Sequence, residues 1–272
     1  MVSARRLRAL FRRSLAELRL EFVRWRVMQA RAGDVVRLGP FVVRITDGPN
    51  AYMQYKDEVV RRCYAFVSSS PAPVVIDGGA NMGLFSLVTK RDHPGARITA
   101  FEPDPEIAAL LRENLDRNGA GDVTIMNAAL GARSGEATFA ADGQAGGALS
   151  AAGTTRVRVE RLSDWLMGEV DFLKLNIEGA ELEVLREAAD AGRLRHVRAM
   201  VVEYHGWPDG EQRLGAILQL LEREGFRYLL HDFDEQTNPA TKPPFRPPAG
   251  QAWFALLYAW REAAVQRAER RP

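Results

Sequence analysis

The sequence predicts an α/β protein: an open, mostly parallel sheet with helices on both faces, behind a basic amphipathic N-terminal helix. Three observations predict it. From residue 74 onward, short apolar strand-like runs alternate with segments of helical period. The first of these strands, VVIDGG, passes into a helix through a glycine-bearing turn, the place where such sheets collect ligands. Residues 3–31 hold no Pro or Gly, and Leu7, Leu10, Phe11, Leu15, Leu18, Phe22 and Trp25 recur there at three- and four-residue steps.

The elements follow in order. DVVRLGPFVVRITD, residues 34–47, reads as two short strands around a Gly39-Pro40 turn. A helix is expected at 55–67, with Cys63 as packing inside it, and SSSPAP at 68–73 connects to the main unit. VVIDGG is a strand and its helix runs through about residue 90. RITAFEPD is a strand, and PEIAALLRENLDRNG is a helix stopped at Gly119. VTIMNAAL reads as one strand. GEATFA and TTRVRVERL are β-like excursions around a Gly/Ala-rich loop at 143–153. VDFLKLNIE is a strand whose helix starts at Ala180 or Glu181; VRAMVVEYH is a strand and EQRLGAILQLLEREG a helix. FRYLLHDF and AWFALLYAW close the sheet on either side of the proline-rich 238–248. The expected domains are a leader at 1–33, a β/α lead-in at 34–73, the main domain at 74–262 and a basic tail at 263–272.

Composition bounds the function. The 272 residues are 46% hydrophobic and 26% charged, ordinary for a globular protein. A single cysteine excludes an internal disulfide and fits a reducing compartment. No apolar run reaches the roughly 18 residues of a membrane span, and Arg12 and Arg13 interrupt what would be a signal-peptide core. The leader carries +7, nine Arg against Glu17 and Glu21, so of the net +2 the rest of the chain carries −5. The leader is expected either to pack on the body or a second subunit, or to rest on an anionic membrane surface with Phe22 and Trp25 inward. An acidic body without an Asn/Asp-Pro-Pro-aromatic tetrapeptide argues against a nucleic-acid partner. The protein is therefore expected in the cytoplasm, with peripheral contact at the inner membrane surface as the leader's alternative.

Two motifs carry a nucleotide-like ligand. In VVIDGGANMG the glycines at 78, 79 and 83 fit no Gly-x-Gly-x-x-Gly register. Asp77-x-Gly79-x-Asn81-x-Gly83 instead matches Asp-x-Gly-x-Gly-x-Gly, with Asn in the middle because Asn tolerates left-handed backbone angles. Glu102 closes the next strand, 23 residues beyond Gly79, where a carboxylate can accept two hydrogen bonds from ribose hydroxyls. Asp104, before Pro105, reads as a helix cap. Asn127 and Ala128 end the third strand, with room for an adenine ring. These motifs leave NAD and S-adenosylmethionine both open, the spacing favouring the second.

With FLKLNIEGAELEVL at 172–185 added, the chain resembles the FkbM family of S-adenosylmethionine-dependent methyltransferases. The matching stretches are VVIDGGANMGLFSL, AFEPDPE…LLRENLDRNG, VTIMNAALG, VDFLKLNIEGAELEVLRE and VVEYH, from about 74 to 205. The resemblance implies a class I, Rossmann-like methyltransferase fold. It also implies methyl transfer to a hydroxyl oxygen of a small molecule, sugar or lipid-linked glycan. It would give the cofactor Asp77, Gly78, Gly79, Ala80, Asn81, Gly83 and Glu102. The family phrase Lys-Ile-Asp-Val-Glu-Gly is altered here, with Asn176 in the Asp position. Asn cannot take a proton at neutral pH, so a cofactor-binding protein without turnover stays as the alternative.

Lys174, Asn176 and Glu178 are expected on one side of the strand, facing the cofactor. Glu178 is the first candidate for the base or orienting group. His205, beside Glu203, is the second, its ordinary pKa of about 6.5 suiting the task. Lys174 is expected to pair with a deeper carboxylate, or with Glu178 in an ion pair that does no chemistry. His93 and His196 are expected to be solvated. No metal ligand is assigned; His231 near Asp232 and Asp234 is the weak candidate.

Overall fold

The computed structural model describes residues 18, 20–140, 147–149, 153–207, 210–231 and 253–261. Most of the predicted leader, most of the loop at 143–153, Asp232 and Asp234, the proline-rich 238–248 and the tail at 263–272 lie outside the described residues.

Residues 20–27 are helical. Strands β1 (Val35–Leu38) and β2 (Phe41–Arg44) form an antiparallel hairpin around Gly39-Pro40. Helix α1 (Gly48–Gln54) is capped by Asp47, whose side chain accepts from the Asn50 amide. It runs on as a π-helical segment, Tyr55–Arg61. The expected helix at 55–67 therefore starts earlier and ends sooner, because Arg62 turns left-handed (φ 58°) and closes it. Cys63 lies just past that stop, buried as expected but not within a helix.

The main unit follows as β3 (Val74–Gly78), α2 (Leu84–Asp92), β4 (Arg97–Phe101), α3 (Pro105–Arg117) and β5 (Thr124–Met126). A side sheet comprises β6 (Ala129–Gly131), β7 (Gly135–Ala140), β8 (Ala148–Leu149) and β9 (Thr155–Arg161). Then come β10 (Val170–Leu175), α4 (Glu181–Asp190), β11 (Val197–Gly206), α5 (Leu214–Arg223), β12 (Arg227–His231) and β13 (Trp253–Trp260). The seven-stranded sheet runs β12-β13-β11-β10-β3-β4-β5, with β13 alone antiparallel to its neighbours. This is the mostly parallel sheet of the class I methyltransferase fold. Chain order reverses between β3 and β10, so a crevice opens at their carboxyl ends.

Apolar residues cover both faces of this sheet. On one face the hairpin, α2 and α3 pack Leu38, Val43, Leu84 and Leu111; on the other α4 and α5 pack Leu182, Leu185, Ile217 and Leu221. Asn114, fully buried on α3, clamps the first layer. Its amide holds the Arg44 amide and carbonyl at 2.7 and 2.9 Å and reaches the Met82 carbonyl at 3.0 Å. The lead-in hairpin is thereby fixed to the glycine-bearing turn.

Two expected strands differ. VTIMNAAL is split, since after Met126 the chain leaves the main sheet and pairs again only as β6 beside β9. VDFLKLNIE stops at Leu175, so Lys174, Asn176 and Glu178 do not form one face of a strand. Glu178 instead adopts a left-handed conformation (φ 56°) ahead of Gly179 (φ 100°). His93 is half-buried, its ring stacked on Phe66 at 4.8 Å, and His196 is half-buried at the end of a short 3₁₀ turn. Neither is simply solvated, because apolar or backbone neighbours cover one side of each.

Candidate active site

The crevice widens into a cavity of about 360 Å³. Its walls come from the lead-in helix, the turn after β3, the ends of β4, β10 and β11, and the side sheet. Gly79, Asn81, Glu102, Ala128, Lys174, Asn176, Glu178 and His205 all line it.

The turn after β3 is shaped by two tight constraints. A Cβ on Gly79 (φ 78°) would lie 1.8 Å from the Asn176 carbonyl oxygen, so only glycine lets the two loops close on each other. Asn81 is left-handed (φ 47°), as its place in the motif predicts. Its side-chain oxygen accepts from the Met82 amide at 2.7 Å and from Gln54 of α1 at 3.0 Å. Glu102 binds the same turn, accepting from the Asn81 amide (2.9 Å) and from the Asp104 amide (3.0 Å), one on each carboxylate oxygen. Each oxygen keeps a second lone pair for a ligand hydroxyl. Burial raises the Glu102 carboxyl to about 7, against the pull of those two amides. Asp104 is the cap of α3, accepting from Glu106 and Ile107.

Asp77, Gly78, Ala80 and Gly83 lie behind the residues that line the cavity and shape the turn that carries Gly79 and Asn81. Asp77 is wholly buried, 3.1 Å from Lys174 Nζ and 2.8 Å from the Ser86 hydroxyl. Its pairing with Lys174 is the deep ion pair the sequence suggested. Lys174 also donates to the Gly79 carbonyl. Burial alone would lower the Lys174 pKa, but Asp77 and then Glu58 override it and raise it. Asn127 donates to the Glu102 and Pro103 carbonyls at 2.8 and 2.9 Å, and its neighbour Ala128 lines the cavity.

At the other end, Glu178 contacts His205 Nε2 at 3.3 Å, and Glu181 lies 3.3 Å from Nδ1 without hydrogen-bond alignment. Burial would lower the imidazole pKa, but the Glu178 and Glu181 carboxylates beside it raise it well above its usual value. That direction favours the imidazolium, a hydrogen-bond donor, over the neutral base that the sequence suggests. Glu203 takes a short hydrogen bond from Tyr64, and Asn176 Nδ2 lies 3.5 Å from the same phenol. Asn176 Oδ1 is buried with no partner, an acceptor left for a ligand. The dead-end pair of Lys174 with Glu178 is not formed, because Asp77 holds the lysine.

Sequence reasoning missed Gln54, Glu58, Tyr64, Trp207 and Phe254 on the wall. The lead-in residues lie in a segment that reads only as a packing helix. Trp207 stands two residues beyond His205 of the VVEYH strand, and that position was the one available signal.

The Lys174–Asp77 pair is testable by stability. Lys174→Met leaves a buried carboxylate without its cation and is expected to lower the unfolding free energy by about 3–5 kcal/mol in urea titration. Adding Asp77→Leu should recover much of that loss. An unchanged midpoint in the single variant would show that the pair carries no such role.

Comparison with known proteins gives the family. The model of the Methyltransferase FkbM domain matches residues 77–228, more than half of the chain. Methyltransferase sdnD of Sordaria araneosa is 32% identical over 63% of this chain and 80% of its own. The 31-O-demethyl-FK506 methyltransferase FkbM of Streptomyces tacrolimicus is 28% identical over 69% of this chain and 86% of its own. The 2-O-methyltransferase NoeI of Sinorhizobium fredii is 29% identical over 60% and 76%. With this match spanning the glycine-bearing turn, Glu102 and the wall built by β10 and β11, the chain belongs to the FkbM family of S-adenosylmethionine-dependent methyltransferases.

Proposed function

We propose that the enzyme methylates an acceptor hydroxyl of a small molecule, sugar or lipid-linked glycan. The observation that carries this is the single cavity, in which Gly79, Asn81 and Glu102 stand at one end and Asn176, Glu178 and His205 at the other. The residues fit the cofactor, since Glu102 has lone pairs free for two ribose hydroxyls. Phe101, Ile107 and Ala128 form an apolar slot beside it. S-adenosylmethionine supplies an electrophilic methyl group. Glu178 accepts the hydroxyl proton, a contribution of about 10²–10⁴-fold for a positioned base. His205, held as a cation, orients Glu178, and the unpartnered Asn176 oxygen anchors a donor on the ligand. An oxygen acceptor is supported by the names of the two O-methylating relatives.

Incubation with S-adenosylmethionine and a panel of glycosides and secondary alcohols, read by mass spectrometry and NMR, tests this. An O-methyl ether is the expected product; methyl found only on nitrogen or carbon would overturn the oxygen assignment.

The Glu102 carboxyl sets a pH dependence. Ribose hydroxyls need its ionised form, and its pKa is raised to about 7. S-adenosylhomocysteine affinity, measured by calorimetry, is therefore expected to fall up to about tenfold from pH 8 to pH 6. Glu102→Gln should bind weakly and without that slope. A flat profile in the unaltered chain would remove Glu102 from the ribose site.

We also propose that the leader contacts the inner face of a membrane from the cytoplasm rather than a second copy of the chain. No helix among the described residues is long and apolar enough to cross a membrane. Phe22 and Trp25 are 59% and 62% exposed on the leader helix, and the +7 charge of residues 1–33 favours an anionic surface. Co-sedimentation with phosphatidylglycerol vesicles should fall with salt and in Phe22→Ser/Trp25→Ser. Concentration-dependent dimers in solution, lost in the same variant without vesicle binding, would favour the self-contact instead.

A further inference from the structure

We propose that Glu58 is the residue by which the cavity distinguishes its cationic cofactor from the neutral product. In this assignment its carboxylate stabilises the sulfonium of S-adenosylmethionine and has no counterpart to hold in S-adenosylhomocysteine. The proposal rests on the cofactor-cavity reading above and adds a specificity-determining residue to it.

Glu58 enters the cavity from the π-helical segment, beside Gln54 and Tyr64. Its electrostatic neighbours are Lys174, Asp77, Glu203 and Asp57. The first three stand at the ends of β10, β3 and β11, so Glu58 belongs to the crevice where chain order reverses. The segment is tied to the cofactor turn by the Gln54 to Asn81 hydrogen bond at 3.0 Å. Single π-type turns recur at functional sites, where the wider coil re-aims a side chain.

Among the carboxylates on the wall, the others are already engaged. Asp57 pairs with Arg61 at 3.1 Å. Glu102 takes two backbone amides, and Asp104 caps α3. Glu178 contacts His205, and Glu203 accepts from Tyr64. The Glu58 carboxylate forms no hydrogen bond or ion pair with another described residue. The wall's two cations are likewise taken: Lys174 by Asp77, and His205 by Glu178 and Glu181.

A partly buried carboxylate without a cation is costly. Consistent with that, burial raises the Glu58 carboxyl to about 8, with Lys174 opposing and Asp77 and Glu203 reinforcing. A cation bound beside Glu58 would favour its ionised form. S-adenosylmethionine and S-adenosylhomocysteine share the adenosine, the carboxylate and the ammonium, and differ by one methyl and one positive charge. Methyl transfer removes that positive charge, so a carboxylate that stabilises the cofactor gives the product less stabilisation.

Calorimetry with three ligands tests the assignment: S-adenosylmethionine, S-adenosylhomocysteine, and sinefungin, whose protonated amine stands near the sulfonium position. Glu58→Gln is expected to weaken the two cationic ligands at least about tenfold, a modest fraction of a close charge pair, and to change S-adenosylhomocysteine less than threefold. Glu58→Asp should restore part of the preference. Equal weakening of all three ligands would assign Glu58 to the shared amino-acid tail or to the fold, and no change in any would remove it from the cofactor site; either overturns the proposal. If the unaltered chain binds none of the three, the cofactor-cavity reading itself fails and this proposal falls with it.

Discussion

The geometry of the cavity depends on one buried ion pair, Lys174 with Asp77. The two residues are register partners on β10 and β3, the strands between which the chain order reverses. Lys174 also binds the Gly79 carbonyl and sits 5.5 Å from the centre of the Tyr64 ring. One ammonium therefore joins the sheet, the cofactor turn and the lead-in segment. A buried pair of this kind adds little net stability compared with an apolar pair of equal volume. Its consequence here is positional. With Lys174 drawing in the Gly79 carbonyl, the turn lies so close to the Asn176 carbonyl that no Cβ fits between them.

From that joint the cavity's electrostatics follow. The lysine pairs with Asp77 and also favours the ionised forms of Glu58, Glu102 and Glu203, without offsetting their desolvation. His205 is surrounded by Glu178, Glu181 and, at 3.9 Å, Glu203, which keep it protonated despite burial. Desolvation pushes Glu102, Glu203 and Glu58 toward their neutral forms. The site thus holds buried acids whose ionised forms a cation or hydroxyl donors would favour. That is the complement of a ligand bearing a sulfonium and a ribose.

Much of this was legible in the chain because some roles are local. Asp77-x-Gly79-x-Asn81-x-Gly83 specifies a turn within seven residues, and the left-handed Asn81 is a property of that turn alone. Glu102 was legible because it ends a strand of plain apolar pattern. The polar row at 174, 176 and 178 led to the cavity by a mistaken route: period-2 alternation was assumed where the strand had ended, and the left-handed Glu178 brings its side chain round instead. Of the acids around His205, Glu203 was legible beside it on β11, whereas Glu178 and Glu181 follow β10 and meet the ring only in space. Glu58 and Tyr64 left no mark at all. Their segment reads as a packing helix, and its π register has no sequence signature.

The Asn at 176 fits this charge balance. A carboxylate there would stand beside the Tyr64–Glu203 pair, on a wall that already holds Glu178 and Glu58. Each added buried acid raises the cost of ionising its neighbours. The amide keeps an acceptor at the same place, its oxygen buried and unpartnered, while adding no charge. In the proposed mechanism proton transfer falls to Glu178, beside His205, and hydrogen bonding to Asn176. The substitution separates two tasks that a single Asp could otherwise combine, and it does so where the surrounding acids make a further negative charge most expensive.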